Sequence, residues 1–73
     1  MPKKIIELKA ILSRAGFILL KKRGKGSHSR WYHPILNYYI TLSGKDGNDA
    51  KPYQEKEIQN VLMMLEKLNQ EDE

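Results

Sequence analysis

Most of the side chains in this 73-residue chain that could do chemistry lie in or beside the stretch Gly24 to Pro34, Gly-Lys-Gly-Ser-His-Ser-Arg-Trp-Tyr-His-Pro. Gly24 and Gly26 let a loop turn tightly and bring backbone N–H groups against an anion, and Lys22, Arg23 and Lys25 place positive charge beside them. Read as a strand, the residues that follow alternate. His28, Arg30 and Tyr32 share one face, and Ser27, Ser29, Trp31 and His33 share the other. One face then holds an imidazole, a guanidinium that forks onto phosphate, and an aromatic ring, which together suit the handling of RNA. The same three residue types equally suit the wetted face of an ordinary half-buried sheet.

RNA carries its own nucleophile in the 2′-hydroxyl, so its cleavage requires no metal in principle. It requires a base for the hydroxyl proton, charge to stabilise the phosphorane, and a proton for the departing 5′ oxygen. His28 fits the base, or a base–acid shuttle. Lys22, Lys25 and Arg30, with the backbone N–H groups around Gly24 and Gly26, fit the anion. The alternative is that His28 only hydrogen-bonds a phosphate or ribose. His33, on the opposite face and before a proline, reads as a structural residue at a strand end. A mechanism using both histidines would need a bulge to bring them to one face. Trp31 reads as core. Tyr32 and Tyr39 either stack on bases or pack across strands, and Ser27 bonds either phosphate or local backbone. Lys3, Lys4 and Lys9 read as a solvated helix face.

The formal net charge of +4 hides an asymmetry: residues 1–30 hold nine Lys or Arg against one acid, a balance of +8, and residues 31–73 hold four against eight, a balance of −4. A basic half of this kind points to a polyanionic partner, nucleic acid ahead of an anionic membrane. The chain has no cysteine and only two histidines, so neither a disulfide nor a thiolate zinc site is expected, and no metal or other cofactor is assigned. No apolar run reaches the roughly 20 residues that span a bilayer. A single domain over residues 1–73, cytoplasmic, is the expectation.

The elements that must position these residues follow from periodicity. Ile5, Leu8, Leu12 and Ala15 recur at helical spacing after Pro2 and before Gly16, predicting a helix over 3–15. Residues 17–22 read as a strand, Arg23 to Gly26 as the turn, and Ser27 to His33 as the returning strand that Pro34 ends. Tyr38 to Leu42 reads as a third strand with Tyr38, Ile40 and Leu42 inward and Tyr39 and Thr41 outward. Residues 43–52 have loop chemistry. A second helix follows from Pro52, its buried face expected at Ile58, Val61, Leu62, Leu65 and Leu68, with Met63 and Met64 as gap-filling core or an exposed surface and an acidic tail over 69–73 that frays. The order helix, three antiparallel strands, helix makes a two-layer α+β fold with both helices on one face of the sheet.

That topology resembles the double-stranded-RNA-binding domain, which reads RNA shape and phosphates. The whole pattern is similar to the HicA family of toxins from bacterial toxin–antitoxin systems. The residues that carry the similarity are Arg14 to Phe17, Lys22 to His28 with its Gly-Ser-His triplet, Arg30 to Pro34, the strand Tyr39 to Leu42, and the closing helix. The resemblance implies cleavage of mRNA, His28 at the catalytic histidine position, and neutralisation by a HicB-like antitoxin; the free toxin is expected to be a monomer. RNA-binding residues are then expected at Lys22, Arg23, Gly24, Lys25, Gly26, Ser27, Arg30 and Tyr32. The chain departs from the family in having Leu42-Ser43-Gly44 where a Pro-x-His motif is common, and a longer, more polar loop over 44–51. Two rival functions remain: a double-stranded-RNA-binding module without chemistry, and a protein-interaction domain built on Met63, Met64 and the acidic tail.

Overall fold

The computed structural model describes residues 3–20 and 28–71. The chain forms helix α1 (Ile5–Ala15), strands β1 (Ile18–Leu19), β2 (Ser29–His33) and β3 (Tyr38–Leu42), and helix α2 (Pro52–Glu71). The three strands make one antiparallel sheet in the order β1-β2-β3. This is the α-β-β-β-α arrangement expected from the sequence, compatible with a double-stranded-RNA-binding-like fold.

In α1 the buried stripe is Ile5, Leu8 and Leu12, the i, i+3, i+7 spacing that one face of a helix requires. The helix begins at Ile5 rather than residue 3, with Lys4 in extended conformation as its N-cap; Pro2 lies outside the described residues. The first donors of the helix are satisfied from far along the chain. The Ile5 N–H donates to the Asn48 carbonyl at 2.9 Å and the Ile6 N–H to the Asp46 carbonyl at 3.1 Å. Gly16 ends α1 in the left-handed region at φ 101°. Its N–H reaches the Ser13 carbonyl and the Phe17 N–H reaches the Leu12 carbonyl, so the last turn closes on itself as glycine C-caps do.

The register pairs Ile18 with Tyr32, Arg30 with Thr41, Trp31 with Ile40 and Tyr32 with Tyr39. One side of the sheet therefore presents Ser29, Trp31, His33, Ile40 and Leu42, all buried. Phe17, Ile58, Val61 and the α1 stripe complete this core. The Trp31 indole N–H donates to Ser29 Oγ at 3.1 Å, which explains why a serine can be buried beside it.

Helix α2 differs from expectation in which leucines it buries. Ile58 and Val61 are buried and Leu65 half-buried, but Leu62 and Leu68 are exposed, as are Met63 and Met64. Leu62, Met63 and Met64 lie off the face that Gln54, Ile58, Val61 and Leu65 turn inward; for Leu68 the reason is length. Twenty residues give a helix of about 30 Å, whereas the 11 residues of α1 give about 16 Å, so the last turns of α2 outrun the layer they pack on. The helix continues through Asn69 into Glu71; Asp72 and Glu73 lie outside the described residues. At its start, the Lys51 N–H donates to Gln54 Oε1 at 2.8 Å, and Gln54 Nε2 donates to the Ser43 carbonyl at 3.1 Å. Gln54 is thereby buried as a cap, a position that helical periodicity alone does not distinguish.

The loop over 44–51 is fastened to α1. Besides the two backbone bonds to Ile5 and Ile6, the Ala50 N–H donates to the Lys3 carbonyl at 2.7 Å. Lys4 Nζ meets Asp49 Oδ1 and Lys9 Nζ meets Asp46 Oδ1, each at 2.6 Å. Lys4 and Lys9, expected on a solvated face, are thus engaged by the loop's acids.

Candidate functional site

The second face of the sheet carries the chemistry-bearing side chains. Strand alternation puts Arg30, Tyr32, Tyr39 and Thr41 on the side away from the helices, and Arg30, Tyr39 and Thr41 are exposed and Tyr32 half-buried. His28 is exposed one residue before β2, in step with Arg30 and Tyr32. The alternation expected from the sequence holds for the described residues: Ser29, Trp31 and His33 go to the core, and His28, Arg30 and Tyr32 do not.

The side chains on this face touch one another. The Arg30 guanidinium carbon sits 4.8 Å from the centroid of the Tyr39 ring, within the range where a cation is held by the ring face. The Tyr32 and Tyr39 rings, directly opposite across β2 and β3, have centroids 4.7 Å apart at an interplanar angle of 39°. The Tyr32 hydroxyl donates to Asn37 Oδ1 at 3.1 Å. Asn37 sits in the β2–β3 turn at φ 53°, a conformation asparagine tolerates, so the turn that sets the register also fixes the Tyr32 ring. Sequence reasoning found Tyr39 as outward-facing but not as the residue joining Arg30 to Tyr32. That junction depends on register, which alternation alone does not give.

His33 lies on the other side and is bonded at both ring nitrogens. Its Nδ1 accepts the Leu36 N–H at 3.3 Å, which leaves Nε2 as the protonated nitrogen, donating to the Ala15 carbonyl at 2.9 Å. The Phe17 ring meets it edge-on, centroids 4.9 Å apart. His33 ties β2 to the end of α1, as its position opposite His28 predicts, and the two histidines do not share a face. Lys22, Arg23, Gly24, Lys25, Gly26 and Ser27, expected to bind RNA, lie outside the described residues. Among the described residues no three His, Asp or Glu side chains gather into a metal-binding cluster, and no helix is long and apolar enough to cross a membrane.

The fold and this face define a small two-layer α+β domain, double-stranded-RNA-binding-like in its element order, with two helices behind the sheet and a histidine, an arginine and two tyrosines in front. The family model described as the HicA toxin of bacterial toxin–antitoxin matches residues 6–69. The chain belongs to the HicA toxin family, and that membership implies an antitoxin partner. No curated protein and no solved structure matches it significantly.

Proposed function

We propose that this HicA-family toxin is an endoribonuclease that cleaves mRNA without a metal, using His28, and that a HicB-like antitoxin neutralises it by covering the His28 face. The observation that carries this reading is the placement of an exposed histidine in step with Arg30 and Tyr32 on the side of the sheet that the helices leave uncovered. His28 takes the proton of a ribose 2′-hydroxyl. The 2′ oxygen bonds to the adjacent phosphorus, and the bond from phosphorus to the 5′ oxygen breaks. The products are a 2′,3′-cyclic phosphate and a 5′-hydroxyl, whose proton comes from a lysine or water. Arg30, with Lys22, Lys25 and the N–H groups of the glycine loop, offsets the charge that grows on the phosphoryl oxygens. Arg23 and Ser27 add phosphate contacts and Tyr32 contacts the RNA from the strand. The reaction takes place in the cytoplasm, where message is found, and the free toxin acts as a monomer.

The test is RNA cleavage in EDTA by the parental chain and by His28→Ala, with growth arrest on induced expression in parallel. The expected outcome is cleavage by the parental chain and none by His28→Ala, with RNA binding retained by both. If both bind and neither cuts, the protein is a binding module. If His28→Ala cuts as well as the parent, the assigned mechanism is wrong. Addition of a purified HicB-like protein should abolish cleavage.

A further inference from the structure

The exposed face holds more than a base and a phosphate ligand. Ile18, Tyr32 and Tyr39 form one row straight across the sheet, one residue per strand, and Arg30 with Thr41 forms the next row toward His28. Ile18 and Tyr39, at the two ends of this row with Tyr32 between them, are each 52% exposed. Tyr39 is held from two directions, by the Arg30 guanidinium and by the Tyr32 ring, and Tyr32 is itself fixed through its hydroxyl to Asn37. Tyr39 nevertheless remains exposed as a residue. An exposed aromatic residue with a guanidinium and a second ring already set against it offers a place for a base to stack.

We infer that Tyr39, Tyr32 and Arg30 form a base-stacking subsite that takes an unpaired nucleobase of the RNA presented to His28, so that the RNA engaged at this face is single-stranded. A base stacks on such a surface only when both its faces are not already covered by neighbours, and a paired base inside an A-form helix has none to offer. The spacing suits the role. Arg30 lies two residues from His28 along the strand and Tyr32 four, about 7 and 13 Å at the rise of an extended chain. A nucleotide stacked here therefore sits close to the scissile phosphate. Thr41, opposite Arg30, places a hydroxyl at the edge of the platform. This inference deepens the ribonuclease reading and rests on it for the position of the reacting phosphate, but the stacking subsite itself can be measured without any cleavage.

The experiment uses the full chain carrying His28→Ala, so that RNA survives the titration. The probes are a short single-stranded RNA with one 2-aminopurine and the same RNA annealed to its complement. The expected result is quenching of 2-aminopurine by the protein, tighter binding of the single strand than of the duplex, and a loss of roughly tenfold or more on Tyr39→Ala, with Tyr39→Phe retaining the affinity. A merely structural Tyr39 would not produce the quenching or the preference for the single strand. Duplex bound as tightly as single strand, or Tyr39→Ala binding the single strand like its parent, overturns the subsite while leaving cleavage by the parental chain to stand or fall separately. Stacking and strand preference without cleavage by the parental chain would support the subsite and overturn the ribonuclease reading. No binding of either RNA overturns both.

Discussion

At the scale of the residue, the two histidines are opposites. His33 is enclosed, bonded at both nitrogens and packed edge-on against Phe17. His33→Ala removes a buried ring and leaves the Leu36 N–H and Ala15 carbonyl without it, so it should cost about 2–4 kcal/mol of stability by chemical denaturation. Gly16 is fitted to the same ring: a Cβ there would lie 3.1 Å from His33 Nε2, at a φ of +101°. Gly16→Ala should therefore destabilise by about 1–3 kcal/mol; an unchanged unfolding midpoint would contradict this account of the α1 terminus. His28 is exposed, and His28→Ala should shift stability by no more than about 0.5 kcal/mol. That difference makes loss of cleavage in His28→Ala interpretable as chemistry. The opposition was legible in the sequence, because a period of two places residues 28 and 33 on opposite sides of any regular strand. The bonds that hold His33 were not, since one partner, Leu36, comes from the β2–β3 turn and the other, Ala15, from the end of α1, and residue types do not specify how those two meet.

At the scale of the element, the strand order, β2, β3 and the α1 stripe were readable because each has an apolar period or a clear stop signal, Gly16 and Pro34 among them. The strand expected over 17–22, by contrast, forms only at Ile18–Leu19, both residues exposed, with residues 21–22 outside the described ones. The far half of α2 was not readable. Leu62, Leu65 and Leu68 keep helical spacing whether or not anything lies beneath them, and the sequence does not state where the underlying layer ends. Ile58→Ala, at a position only 2% exposed, should cost about 2–4 kcal/mol, whereas Leu68→Ala should cost under about 1 kcal/mol. Equal losses in a denaturation series would mean that α2 is covered along its whole length. The loop over 44–51 was read as a departure from the family pattern, and its acids turn out to face α1. The ion pairs of Asp46 and Asp49 are partly exposed, so Asp46→Ala and Asp49→Ala should each cost less than about 1 kcal/mol. The backbone bonds from the loop to Ile5 and Ile6, which neither substitution removes, are the firmer attachment.

At the scale of the whole molecule, the charge asymmetry takes on a direction. The basic half contributes Lys4 and Lys9 to internal ion pairs and Arg30 to the open face of the sheet. RNA affinity should fall as salt rises, with a slope that Arg30→Gln makes shallower and Asp49→Ala leaves alone, if the open face is where phosphate is met. The fastening of α1 also bears on the order in which the chain is made. The amino end of this helix is capped by carbonyls of residues 46 and 48, and an 11-residue helix has little stability by itself in water. Helix α1 thus waits for its cap until translation has passed the loop, and the sheet waits for β3 before Tyr39 can join Arg30 and Tyr32. A chain cut after Leu42 should show little helix by circular dichroism. For a toxin proposed to destroy message, the face that does so does not exist on the ribosome until β3 has itself been translated.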